Sequence, residues 1–206
     1  PVIALIYLYY NPQQYHSLFY VAFLPGLLAV FASFLLKDKS NSKPIAKKNV
    51  SFFSFLNYWK SSPHEYRKTV IGLLAFAVFN SSDVFLLLKA KQAGLNDTYV
   101  IGIYIFYNLV YAIAALPIGI LADKIGLKKM FIFGLSLFAI VYFGMAFSEN
   151  SYLIALFFFV YGVYAAATEG VSKAWISNIC DKKDTATAIG TYSGFQSISA
   201  LMASSF

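Results

Sequence analysis

Long apolar runs separated by polar stretches set the plan of this chain. Runs over 15–36, 69–88, 99–122, 130–147 and 152–176 each approach the ~20 residues that an α-helix needs to cross a bilayer. A further run begins near Thr185 and continues to Phe206. The pattern predicts an all-α membrane protein built as a multi-span helical bundle. Pro25-Gly26 falls inside the first full run and predicts a kink, which neighbouring helices can accommodate in a membrane. Asn11-Pro12-Gln13-Gln14 reads as a turn, because the residue before a proline is steered away from helix. The preceding apolar stretch, 1–10, is too short to span. It reads as the end of an earlier helix, so that 1–14 is a helix end plus an outer turn, and both ends of the chain read as cut from something longer.

The polar connections are mostly short. The exception is 37–68, the clearest linker. Its first part, Lys37-Asp38-Lys39-Ser40-Asn41-Ser42-Lys43-Pro44, has the composition of a disordered segment. Its second part, 51–60, is aromatic and too short to span. Phe52, Phe55, Leu56 and Trp59 fall on one helical face, which fits an interfacial helix or a helix packed under the end of the bundle. The sequence leaves both open. Residues 69–206 then form the main bundle. Small residues recur at helix-packing spacing in it: Gly162, Ala166 and Gly170, then Gly190 and Gly194.

Composition agrees with a membrane protein. The 206 residues are 59% hydrophobic and 12% charged, against about 25% charged in a soluble domain. The net charge of +7 would suit a nucleic-acid partner, but its distribution does not. Lys37, Lys39, Lys43, Lys47, Lys48, Lys60, Arg67 and Lys68 share the long linker. Lys124, Lys128 and Lys129 lie two connections further on, and Lys182 and Lys183 two beyond that. Basic residues on alternate connections follow the positive-inside pattern, which places these three in the cytoplasm and 90–98 outside. A multi-pass protein of the cell membrane is expected, with lipid rather than nucleic acid around it.

One connection carries a motif. Gly119-Ile120-Leu121-Ala122-Asp123-Lys124-Ile125-Gly126-Leu127-Lys128-Lys129 lies between two runs, on the basic side. Gly126 permits a tight reversal, the lysines hold the connection in the cytoplasm, and Asp123 could bind the free amides of a helix N-terminus. The stretch resembles the signature loop of the major facilitator superfamily, G-x-L-A-D-[RK]-x-G-[RK]-[RK]-[RK], departing from it only at Leu127. A second stretch, Thr168-Glu169-Gly170-Val171-Ser172-Lys173-Ala174-Trp175 with Asp181-Lys182-Lys183-Asp184, is similar to the end of the tenth helix and the following loop of bacterial members. The resemblance implies half of a twelve-helix fold. Run 15–36 would take the sixth-helix position, 37–68 the linker between halves, and 69–206 the seventh to a partial eleventh helix. It also implies a missing N-terminal half as partner, a small-molecule substrate, and a latch or gate formed by Gly119, Asp123, Lys124, Gly126, Lys128 and Lys129.

Ionisable residues inside a span are costly and therefore candidates for function. Asp83 lies roughly 21 Å along its helix from Thr69, and helical spacing puts Phe76, Phe79 and Asn80 on its face, beside Ser82. Glu169 and Lys173 are spaced i, i+4 with the acid first, as for an ion pair, and could act as a gate. Tyr161, Tyr164 and Thr168 occupy an adjacent face and could line a cavity. Asn108 is a weaker candidate, equally suited to a helix–helix hydrogen bond. Asn80, Asp83, Asn108, Tyr161, Tyr164, Thr168 and Glu169 are thus the candidates for substrate or proton handling.

The remaining chemistry is sparse. Cys180 is the only cysteine, so neither an internal disulfide nor a cysteine metal cluster can form. His16 and His64 stand apart and make no metal site. No phosphate-binding glycine loop, nucleophile elbow or zinc signature occurs, so neither a cofactor nor an enzymatic activity is expected. The expectation is a secondary active transporter working by alternating access, with proton coupling through Asp83 or Glu169 open. A transport-inactive receptor or a membrane-embedded enzyme on the same helices is the alternative.

Overall fold

The computed structural model describes residues 6–7, 10–11, 15–35, 54–80 and 83–203. The expectations for most of 1–14, for 36–53, and for Ser81 and Ser82 lie outside them, as do the side chains of Phe55 and Leu56. Among the described residues every regular element is an α-helix. Two compact units are formed, Pro1–Val50 and Ser51–Phe206. The first contains α1 (Tyr15–Phe34), with Pro25 inside it and large apolar side chains such as Phe19, Tyr20 and Phe34 exposed.

The second unit runs α2 (Ser54–Ser61), α3 (His64–Phe79), α4 (Asp83–Gln92), α5 (Asp97–Ile125), α6 (Leu127–Phe147), α7 (Ser151–Ile179) and α8 (Thr185–Ala203). Four stretches are long and apolar enough to cross a membrane: His64–Gln92 (α3 with α4), α5, α6 and α7. α1 contributes a shorter apolar stretch, Phe23–Phe34. α8 carries Thr, Ser and Gln among its apolar residues and is not one of the four.

Local chemistry sets the boundaries. The Asn96 side chain accepts from the Tyr99 amide at 3.0 Å and starts α5, and Asn150 does the same for α7 through Tyr152 at 2.8 Å. Between α5 and α6 only Gly126 is non-helical, at φ 99°. The expected loop over 119–129 is therefore two helix ends meeting at one glycine. A left-handed backbone at that point is what lets the chain reverse within a single residue.

The larger correction concerns the run 69–88, expected as one helix. α3 stops at Phe79, Asn80 is extended (φ −84°, ψ 96°), and the next described residue, Asp83, belongs to α4. Asn, Ser and Asp side chains compete with the helix ladder for backbone partners and favour helix starts, and Asn80-Ser81-Ser82-Asp83 places four such residues in a row. The break separates Phe79 from the face it was expected to share with Asp83: Phe76 is half-buried, whereas Phe79 is 81% exposed. Asp83 in the first turn of α4 and Lys89 and Lys91 in its last both suit the helix dipole.

α7 is the centre of the unit and packs most closely on α5 and α6. Its small residues are the reason. A Cβ on Gly162 would come within 2.8 Å of Val110 and 2.9 Å of the Tyr107 carbonyl oxygen, and Ala166 is buried. Gly170, Gly190 and Gly194 have nothing within 4 Å of that position, so the packing expectation holds at Gly162 and Ala166 but is not met by the other three within this chain. Gly162→Ala is expected to cost about 1–3 kcal/mol through overpacking, read as a lower thermal unfolding midpoint of the full-length protein. Gly72→Ala, where nothing lies within 4 Å, should leave the midpoint unchanged or raise it; equal midpoints for the two variants would contradict the close approach.

At one end of the unit α2 packs on the bundle, the second of the two arrangements the sequence left open. Trp59 meets Phe195 edge-on at 5.4 Å, and Tyr58 meets Tyr66 likewise at 5.4 Å. Tyr66 is fully buried and donates its hydroxyl to the Ala188 carbonyl at 2.8 Å. Burial, then the nearby Cys180 thiol and the Asp184 and Asp181 carboxylates, push the Tyr58 hydroxyl up from its ordinary pKa. Cys180 ends α7, half-buried, with its thiol against the Ser177 carbonyl and the Thr185 hydroxyl.

Candidate functional site

The buried side chains form two apolar clusters. One is built around Tyr66, Phe131, Val171 and Tyr192, the other around Tyr107, Phe158, Tyr161 and Tyr164. Members of both line a cavity of ≈ 140 Å³ with a polar wall. Asn80, Asp83, Tyr161, Tyr164, Thr168, Glu169 and Lys173 all line it, so the structure brings together six of the seven candidates for substrate or proton handling.

Asp83 is the focus of this wall. Tyr161 donates its hydroxyl to Oδ1 at 2.6 Å, and Tyr107 donates to Oδ2 at 3.3 Å. A carboxylate at the helix break is thus tied to α5 and α7 through two phenols, both buried. Hydrogen bonds to an ionised acceptor are shorter and stronger than neutral ones, which suits the 2.6 Å contact. The neighbouring Asn80 presents a buried amide oxygen without a hydrogen-bond partner.

Glu169 and Lys173 do not pair. Among the described residues the ion pairs are Lys91–Asp97 at 2.8 Å and Lys183–Asp181 at 3.9 Å. Both Glu169 and Lys173 are exposed in this chain. Asn108 is absent from the cavity; its amide donates to the Tyr104 carbonyl of its own helix at 2.8 Å, which is neither the cavity role nor the helix–helix bond expected.

The motif residues lie apart from this cavity. Gly119 and Asp123 line a separate groove of ≈ 290 Å³ between α5 and α7 with Tyr111, Ala166 and Gly170. Asp123 sits in the last turn of α5 and is exposed. No side chain caps the N-terminus of α6, so the expected bond from Asp123 to free amides there does not form. Lys124, Lys128 and Lys129 are exposed. The last two stand in the first turn of α6, where the helix dipole disfavours cations.

Sequence reasoning passed over Tyr107, Tyr111, Ser172, Tyr192 and Gln196. The first two, with Tyr104, recur at i, i+3, i+7 along α5, a tyrosine stripe that helical spacing puts on one face. Gln196 is the one amide side chain in α8, whose other polar residues are Thr, Ser and Tyr. Among the described residues no group of His, Cys, Asp or Glu is arranged to hold a metal ion.

Comparison with known proteins agrees with this architecture. The family model of the Major Facilitator Superfamily matches residues 88–206. An uncharacterized MFS-type transporter of Methanocaldococcus jannaschii is 26% identical over 98% of this chain and 51% of its own length. The chain therefore spans about half the length of that relative. No solved structure gives a significant match. With its membrane-length helices, its glycine-reversed motif and more than half its residues under the family model, the chain belongs to the Major Facilitator Superfamily.

Proposed function

We propose that the full-length protein is a secondary active transporter that moves a small solute by alternating access, and that this chain supplies its C-terminal half. The observation that carries this reading is the cavity at the break in His64–Gln92, where Asp83 is held between tyrosines of α5 and α7. Discontinuous helices near the bilayer midplane are where transporters place their substrate and ion sites. Asp83 and Glu169 are the two carboxylates able to carry a coupling proton. Counterflow in proteoliposomes with the full-length protein tests the reading: a panel of solutes should include one that exchanges, and a protein that binds a solute without exchanging it is a receptor.

Sidedness is part of the proposal. The linker 37–68 and the α5–α6 turn face the cytoplasm, and 90–98 faces outward. Single cysteines at Asn41 and Asn96 in a Cys180→Ser background are expected to label from opposite sides of the membrane. Labelling from one side would overturn the topology.

Asp123 acts as a latch on the N-terminal half in this reading. Among the described residues nothing hydrogen-bonds or ion-pairs with it, which leaves the carboxylate available to a partner. A charge–dipole contact of about 0.3–1 kcal/mol shifts a balanced two-state equilibrium severalfold at most. Asp123→Asn in the full-length protein should therefore slow turnover severalfold while solute affinity changes less; unchanged turnover would remove the latch.

A further inference from the structure

Taking the cavity as the solute site, as proposed above, we infer that its solute is an organic ammonium ion carrying one positive charge. The first argument is charge. Apart from tyrosines, the ionisable groups lining the cavity are Asp83, Glu169 and Lys173, a formal balance of −1. Lys173 forms no ion pair with Glu169 that would cancel the acid locally. An anionic solute would meet two carboxylates, and a neutral one would leave the deficit uncorrected in a space walled by aromatic rings.

The second argument is the use of donors. A polyol or sugar needs hydroxyl protons as well as acceptors from its site, and here four of the wall's hydroxyl protons are already committed. Tyr161 and Tyr107 donate to Asp83. Thr168 donates to the Tyr164 carbonyl at 2.9 Å, and Ser172 to the Glu169 carbonyl at 2.9 Å. The acceptors the wall offers a solute are the carboxylates and the buried Asn80 amide oxygen that has no partner, beside donors on Tyr164, Tyr192, Gln196 and Lys173. A buried acceptor without a donor is costly, and an ammonium N–H supplies one.

The third argument is the ring arrangement. Phe76 lies edge-on to Phe131 at 6.2 Å and to Tyr164 at 6.3 Å, and Tyr164 lies 5.1 Å from Tyr161. The four rings line the same cavity as Asp83. Aromatic faces attract a desolvated cation, whereas they give no preference for an anion. A carboxylate and aromatic rings around one space favour ammonium over both alternatives.

The test uses the purified full-length protein and three probes of similar shape: benzylammonium, benzamide and benzenesulfonate. Equilibrium binding should favour benzylammonium over the neutral and anionic probes by about tenfold or more, the scale of a charge-assisted contact. Asp83→Asn should reduce that preference to less than about threefold, since the lost interaction is with the charge. Equal binding of benzamide, tighter binding of benzenesulfonate, no binding of benzylammonium, or an unchanged preference in Asp83→Asn would each overturn the inference; the comparison of probes on the unsubstituted protein decides it even where the variant does not fold. The two readings fail separately. Benzylammonium that binds selectively but shows no counterflow removes the transporter and leaves the cation site. Counterflow of a neutral or anionic solute, with benzylammonium ignored, removes the cation site and leaves the transporter.

Discussion

Asp83→Asn in the full-length protein is expected to abolish gradient-driven accumulation, while exchange of solute across the membrane persists once the solute is saturating. Asparagine has the shape of aspartate and keeps an acceptor for the Tyr161 hydroxyl, which approaches the carboxylate at 2.6 Å, so the break between α3 and α4 should survive. What is lost is a charge that both a proton and a cationic solute would use. Losing a charge-assisted contact of about 1.5–3 kcal/mol raises the solute concentration needed for exchange by roughly tenfold or more. If Asp83 rather than Glu169 carries the coupling proton, as proposed, the substitution removes the coupling, because asparagine exchanges no proton. The measurement is paired: accumulation under an imposed proton gradient, and counterflow at several solute concentrations without one. Accumulation at the unsubstituted level would end the coupling role of Asp83. If both activities stay intact and only the thermal midpoint falls, Asp83 is a structural residue.

How much of this was legible in the sequence depends on the scale of the feature. Helix existence follows from apolar runs, and the runs at 99–122, 130–147 and 152–176 became Asp97–Ile125, Leu127–Phe147 and Ser151–Ile179. The polar ends were underestimated because Asn96 and Asn150 start helices rather than end turns. The break in the run 69–88 was written in Asn80-Ser81-Ser82-Asp83, four residues with helix-start chemistry, but hydropathy averages over them. Reading that tetrapeptide as helix-start chemistry would have pointed to the end of α3 at Phe79.

The candidate site was legible in part for a different reason. Asp83 was found because an ionisable residue in an apolar run is expensive and so stands out, and Tyr161, Tyr164 and Thr168 because they lie on a face adjacent to Glu169 and Lys173. Tyr107 was missed because a tyrosine in a membrane helix is ordinary, and only its partner across the bundle makes it otherwise. The Glu169–Lys173 pair does not form because i, i+4 spacing brings two side chains within reach without deciding that they meet.

The last expectation concerns the carboxylate and its two phenols as a folding unit. Tyr107→Phe with Tyr161→Phe removes two hydroxyl groups and leaves the rings, so the apolar packing of α5, α4 and α7 is retained. Asp83 then has no hydroxyl donor from either helix, and the double variant should lose about 2–3 kcal/mol, most of it from the 2.6 Å contact with Tyr161. Adding Asp83→Leu should give much of that stability back, because removing both sides of a polar contact costs less than leaving one side unsatisfied. The order of thermal midpoints in the purified full-length protein is therefore unsubstituted highest, triple variant next, double variant lowest. The triple variant should also be inactive, which separates stability from transport at the same residue. A triple variant that melts below the double would mean that Asp83 is stabilised by something other than these two tyrosines, and the geometry of the helix break would need another explanation.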